Sequence, residues 1–519
     1  MKKKTGILEI IGTKLVFGIA AAMFLALTFW AVKYSHRHSE DYSSEHIGGT
    51  FDSLWANLPV FLLILLVFYV LQVIFLRGTE EKKRRNVRIF LIVDMIVAGI
   101  LACVWVTGSH IMPNADQLQV YLTSVEFSQG IYRDMEAYFY MCPQQYGLAF
   151  LYECIWWIWE SYHFVQYINI VFFLMIIYFG YRISDCLFAN ARINLYTILV
   201  TNLFLPLFFY INFVYGEVGC IAMSLCCIWA VLRWMQTEKI RYMVVAPLTM
   251  ALGVLVRMNV IIVAIALLFV LLMFALRKKS WKACVLAVLL FVVPFGSIEL
   301  VELSYELRSG LEVGDGIPVS LNVAMGMQQS WQGAGAYNAY NHQTFWNEGG
   351  GDTKVAAEVG KAYIAGRLQE FKNDLGMARY FYQSKIWEQW NEGSFGSLIM
   401  TNHFDASPFG PAQEIYNGSL KSVMQDYMER YLFIIYAMAL LYSAYGLLFE
   451  KELKKTILPM IVIGGMIFSL LWEAKARYVF PYIAILLPSV AVGIHLSHAL
   501  LEKCFAVAKK RVSRRAYNG

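Results

Sequence analysis

Residues 258–300 read MNVIIVAIALLFVLLMFALRKKSWKACVLAVLLFVVPFGSIEL, and this stretch decides the fold. Two apolar runs, 258–276 and 282–300, flank Arg277, Lys278, Lys279 and Lys282. Each run comes close to the roughly 20 apolar residues that a membrane-spanning helix needs. Working outward, ten further runs of this kind appear, at about 14–33, 53–76, 88–108, 164–183, 195–213, 218–234, 242–256, 430–449, 456–472 and 478–497. With 59% hydrophobic residues, 15% charged residues and a mean hydropathy of +0.52, the chain lies outside the soluble globular range. The expected fold class is all-α integral membrane, with about 12 transmembrane helices, juxtamembrane helices on the outer face and a small external subdomain.

The basic cluster at 277–282 also orients the chain, because Lys and Arg near short loops resist translocation. With a cytoplasmic N-terminus, the inner loops hold Arg77 to Arg88, Arg182 and Arg192, Arg233 to Arg241, Arg277 to Lys282, and Lys451 to Lys455. The tail adds Lys503 to Arg515, so both termini are expected inside. Lys2, Lys3 and Lys4 precede an apolar run of spanning length with no A-x-A site, which reads as a first transmembrane helix and not as a cleaved signal peptide. The net charge of +6 then reflects topology and contact with anionic lipid, not nucleic-acid binding.

Division of the chain follows from the same pattern. Residues 1–87 form an N-terminal accessory hairpin of two spans, whose loop 34–52 is read as solvated although it holds His36, His38 and His46. Residues 88–300 form the membrane core, with a first external loop at 109–163. That loop turns aromatic at Tyr138-Phe139-Tyr140 and Trp156-Trp157-Ile158-Trp159, residues suited to headgroup depth. Reading 146–161 as a span would reverse every later loop against the charge bias. Residues 301–429 are an extracytoplasmic loop subdomain with a helical pattern around 353–387, 430–497 carry the last spans of the core, and 498–519 are a basic cytoplasmic tail. The nine cysteines show no metal spacing, although Cys142 and Cys154 share the outer side, and Asn417-Gly418-Ser419 matches a glycosylation sequon. Neither a metal nor a cofactor is expected.

Charges near membrane helices are functional candidates, since burying one in lipid costs about 2.5–3.5 kcal/mol on insertion scales. Asp116 follows the third span, Glu217 lies between the fifth and sixth, and Arg257 between the seventh and eighth. Glu473, Lys475 and Arg477 lie between the last two spans, and all of these fall on the predicted outer face. Such a set suits group transfer from a lipid phosphate. A carboxylate deprotonates an acceptor hydroxyl, while arginines bind the phosphate through paired donors and stabilise the charge that leaves with it.

Asp116, the turn Gly130-Ile131-Tyr132, Tyr140 and Pro143-Gln144 together resemble the first external loop of GT-C superfamily glycosyltransferases. The branch that looks closest is the bacterial protein O-mannosyltransferase and aminoarabinose transferase group. Gly253-Val254-Leu255-Val256-Arg257-Met258-Asn259 is similar to its basic turn, and Glu473-Ala474-Lys475-Ala476-Arg477-Tyr478 with Pro481 to its late E-x-x-x-R-Y element. Met325-Gly326-Met327-Gln328 and Gly335-Ala336-Tyr337-Asn338 resemble its late external loop, so the likeness runs over roughly 88–497. It implies a polyprenyl-phosphate-sugar donor, inversion at the anomeric carbon, and a glycan, teichoic acid or protein of the cell envelope as acceptor. Asp116 and Glu217 take the catalytic places, and Arg257, Arg477 and Lys475 grip the donor phosphate. Glu473, Tyr478, Tyr140, Gln144 and the Trp156–Trp159 cluster border the groove. One departure is visible: the family often has an adjacent Asp-Glu pair, whereas Gln117 follows Asp116. Asp116 is then either the base or a group that orients the acceptor, with Asp134 and Glu136 as substitutes.

Two other classes compete. A surface polysaccharide ligase or polymerase shares the one-sided design but joins whole glycans. A secondary transporter or lipid flippase matches the number of spans, yet transporters place charges near the midplane, where Asp94 is the only convincing acid.

Overall fold

The computed structural model describes residues 6–38, 47–52 and 54–517; Lys2, Lys3, Lys4 and His46 lie outside them. The chain is a nearly all-α, multi-pass membrane protein. Among the described residues ten helices are long and apolar enough to cross a membrane: Ile7–Lys33, Trp55–Phe75, Glu80–Ser109, Tyr162–Phe188, Glu217–Thr237, Met258–Lys278, Trp281–Ser309, Leu420–Phe449, Leu453–Leu471 and Ala476–Val507. Each coincides with one of the runs read from the sequence.

The other two runs depart from simple spans, for different reasons. Residues 195–213 fall in two helical pieces, Ala191–Leu203 and Leu205–Asn212, bent by 57°. The break falls at Phe204 (φ −83°, ψ 78°), just before Pro206, which has no N–H to give to the preceding helix and is tolerated only in the first turn of the next. Residues 242–256 lie in Ile240–Val256, whose 17 residues rise only about 25 Å against a hydrocarbon core of about 30 Å. The aromatic segment at 146–161 holds a helix of 11 residues, Tyr146–Trp156, too short to span.

Glu217–Thr237 and Ala476–Val507 are buried along most of their length and form the centre of the bundle. Trp55–Phe75 and Glu80–Ser109 stand at its rim with their Leu, Ile and Val side chains exposed, a surface suited to lipid. Asp94, within Glu80–Ser109, is satisfied inside the bundle: Asn202 Nδ2 donates to both of its oxygens at 2.8 Å.

The loop expected to be solvated is partly buried among its described residues: Ser35 and His36 are covered, whereas 48–51 are exposed. Residues Tyr34–His38 and Ile47–Phe51 form an antiparallel ribbon, with Tyr34 opposite Phe51 and His38 opposite Ile47. The ribbon lies against the segment between Leu375 and Arg430. Tyr34 stacks on Trp387 at 5.3 Å, and Arg37 binds Glu429 and Asp426, each at 2.5 Å. His36 Nδ1 lies 3.0 Å from Asn391 Nδ2 and is buried. A polar loop of this composition carries no burial signal of its own; its partners lie far along the chain.

Burial pulls the His36 imidazole down to about 4. The folded chain keeps the ring neutral while the unfolded chain protonates near the ordinary value of 6.5. This contribution to docking is therefore complete above pH 6.5 and lost progressively as pH falls toward 4. Amide exchange at 34–38 is expected to accelerate across that window beyond its intrinsic pH dependence, and His36→Gln should flatten the response. An equal response in both proteins would rule His36 out as the group responsible.

Residues 353–387 form two helices, Thr353–Asn373 and Leu375–Trp390, as their periodicity predicts. Small apolar clusters hold the intervening loops: Met327, Ala334, Phe371 and Phe381 in one, Leu321, Phe345 and Ala356 in another.

Candidate functional site

Helix ends and loops meet at one end of the bundle around a cavity of about 700 Å³. Asp116, Gln144, Glu217, Arg257, Glu473, Lys475, Arg477 and Tyr478 all line it, as does Pro481. These residues span more than 360 positions of sequence, and the bundle brings them to one place because each sits where a helix begins or ends.

Glu217 is the first residue of Glu217–Thr237 and is 2% exposed. Arg257 is a single extended residue (φ −153°, ψ 112°) between Ile240–Val256 and the turn at Met258, so the chain breaks there and its guanidinium reaches the cavity. Arg257 Nη2 donates to Glu217 Oε1, and Arg477 Nε lies 3.6 Å from the same oxygen. Both guanidiniums cover the Tyr215 ring, at 4.3 Å and 5.2 Å from its centroid. Such stacking suits planar, weakly hydrated cations. Gln145 Nε2 donates to the Tyr215 hydroxyl at 2.8 Å, which holds the ring in place.

Beside this group, Lys475 Nζ lies 3.5 Å from Glu473 Oε1, and the Tyr478 hydroxyl donates to Glu473 Oε2 at 3.3 Å. Arg257, Lys475 and Arg477 against Glu217 and Glu473 leave one positive charge in excess. One added anion would bring this cluster to neutrality through charge-assisted hydrogen bonds.

Asp116 has different surroundings. It stands in the first turn of Ala115–Ser128, where an acid is favoured by the helix dipole, and it is exposed. Among the described residues its carboxylate makes no hydrogen bond or ion pair. Burial, with Asp116 adding to it, pushes the Cys142 thiol beside it up to about 12, so that thiol is no nucleophile at neutral pH. Burial pulls His342, which also lines the cavity, below its ordinary value and keeps it neutral.

Other expected residues are elsewhere. Tyr140 does not line the cavity: it packs on Trp346 at 5.9 Å and its hydroxyl donates to Gly351 O at 3.3 Å. The Trp156–Trp159 cluster does not border it either. Trp156 is buried with its Nε1 donating to Ser124 Oγ at 2.7 Å, whereas Trp157, Ile158 and Trp159 are exposed. Asp134 is occupied by the Thr123 hydroxyl at 2.5 Å and Gln119 Nε2 at 3.1 Å, and Glu136 is not part of the lining. Cys142 and Cys154 are both free thiols. Among the described residues no group of three or more His, Cys, Asp or Glu side chains is placed to hold a metal ion.

The lining also contains Tyr215, Asn322, Asn341 and His342, which the sequence reading passed over, and Tyr138 and Tyr337, which it read only within an aromatic stretch and a loop resemblance. Tyr215 stands two positions before Glu217, and its place in a short turn between apolar runs was the available signal. Asn322, Asn341 and His342 carried none, because their position depends on how the helices Val319–Gly326 and Tyr340–Asn347 dock. No protein-family model matches the sequence, and no curated protein matches it. The function is therefore argued from the cavity's own chemistry.

Proposed function

We propose that the protein is an integral membrane glycosyltransferase that moves a sugar from a polyprenyl-phosphate-sugar donor to a hydroxyl of the cell envelope. The acceptor class is a glycan, teichoic acid or protein, and the reaction inverts the anomeric carbon. In this reading the chain crosses the membrane twelve times, the bent pair and Ile240–Val256 included, with both termini cytoplasmic and the cavity on the extracytoplasmic face.

One observation carries the proposal: a cluster with excess positive charge and a separate unpaired carboxylate share a cavity that has one apolar wall beside its polar lining. Met258, Ile261, Ile262, Phe468 and Trp472 form that wall at the ends of membrane helices, a surface fit for an isoprenoid chain. Arg257, Arg477 and Lys475 bind the phosphate of the donor. Asp116 takes the proton of the acceptor hydroxyl as its oxygen attacks the anomeric carbon. The bond from that carbon to the phosphate oxygen breaks, and the electron pair leaves on the phosphate, where the three cations stabilise it. Glu217 holds the two guanidiniums in position.

The test is direct. Purified protein in nanodiscs is given a panel of labelled polyprenyl-phosphate-sugars with and without envelope acceptors. Release of polyprenyl phosphate together with sugar transfer or hydrolysis supports the proposal. A protein that neither binds nor turns over any member of the panel removes its basis and makes lipid transport the next activity to measure.

A further inference from the structure

Lys385 lies in Leu375–Trp390, outside the cavity lining, and is 0% exposed. Its Nζ donates to the carbonyl of Gly326 and, at 3.1 Å, to that of Leu470. Gly326 closes the helix Val319–Gly326, and Leu470 is next to last in Ile457–Leu471. Both acceptors belong to the last turns of helices, where carbonyls lack intrahelical partners and the dipole favours a cation. Burial pulls Lys385 down to about 7. Two carbonyls take two N–H groups, which the amine supplies in either protonation state.

The chain leaving each of these helix ends builds part of the cavity. Beyond Gly326 it carries Gln332, Tyr337 and His342; beyond Leu471 it carries Glu473, Lys475 and Arg477. The two stretches are also tied directly, Ala474 N donating to Gly335 O at 2.7 Å. Their approach leaves no room for side chains. A Cβ on Gly335 would sit 2.6 Å from Gly326 O and 2.8 Å from Lys385 Cε, and one on Gly326 would sit 2.6 Å from Leu471 O. The same face of Leu375–Trp390 is anchored nearby by Gln389 Nε2 to Ser469 O at 3.1 Å and Trp390 Nε1 to Ser469 Oγ at 2.9 Å.

We propose that Lys385 is a positioning residue that fastens two helix ends together and thereby sets the phosphate-binding segment 473–478 against the loop 327–342. Its effect on catalysis rests on the glycosyltransferase reading; its effect on geometry does not. The charged groups that act on it are Glu473, on the fastened segment, and Glu388, on its own helix.

Hydrogen exchange of the full chain in nanodiscs tests the proposal, with Lys385→Met as the isosteric variant lacking the amine. Exchange is expected to rise in both 327–336 and 470–476 while Glu217–Thr237 stays as in wild type. Affinity for decaprenyl phosphate, used as probe well below the unfolding temperature, is expected to fall about tenfold, as loss of hydrogen bonds worth 1–2 kcal/mol would give. Exchange confined to the helix around 385, or unchanged in either stretch, overturns the proposal. If Lys385→Met does not fold, Gly335→Ala strains the same junction, its Cβ meeting Gly326 O and Lys385 Cε, and the same two stretches decide. A wild type that fails to bind the probe counts against the glycosyltransferase reading, while the exchange pattern still judges Lys385.

Discussion

Asp116→Asn is expected to lower turnover of a polyprenyl-phosphate-sugar by about 10²–10⁴-fold, the range that a positioned general base supplies, while donor binding stays close to wild type. The separation follows from the cavity. Asp116 is exposed and without a hydrogen-bonding or ionic partner among the described residues, so the amide keeps its shape and removes only the capacity to take a proton. The cations proposed to bind the phosphate, Arg257, Lys475 and Arg477, are a separate group of side chains. Isothermal titration with decaprenyl phosphate beside a turnover assay measures both quantities. If affinity falls in parallel with turnover, Asp116 belongs to the binding site; if turnover is kept, the base is another group.

Glu217→Gln is expected to cost about 3–5 kcal/mol of stability, the usual consequence of removing one partner from a buried ion pair. Glu217 is 2% exposed and accepts from Arg257, with Arg477 Nε at 3.6 Å from the same oxygen. The amide leaves the two guanidiniums over the Tyr215 ring without the carboxylate they share. An added anion restores that charge, so inorganic phosphate should raise the unfolding temperature of Glu217→Gln more than that of wild type. A variant as stable as wild type yet inactive would instead make Glu217 an acid or base in the reaction. The two carboxylates expected to be catalytic from sequence are thus separable by experiment, one by turnover and the other by stability.

Apolar length made most of the helices of this chain legible. Every run of about 20 apolar residues became a helix, because a backbone in lipid has to satisfy its own hydrogen bonds. The exceptions have local causes that sequence contains but weighs poorly: Pro206 at a bend, and 17 residues where about 20 are needed for a span. The candidate site was legible to the extent that its residues stand at helix ends. Asp116, Glu217, Arg257 and the 473–478 segment share a cavity because the helix ends that carry them meet at one end of the bundle.

What the sequence alone determined is therefore the helical, multi-pass architecture and the set of charges at helix ends, since both depend on local composition and on the thickness of a bilayer. Only the tertiary structure decided which of those charges pair and which stays free. Glu217 and Asp116 look alike as lone acids after apolar runs; packing gave one two arginines and left the other open. Tyr140 and the Trp156–Trp159 cluster, aromatic like Tyr215, were turned away from the cavity. Burial of Lys385 and docking of the strand Tyr34–His38 likewise depend on partners far along the chain. Such contacts form when distant surfaces match in shape and charge, and that match has no periodicity to read.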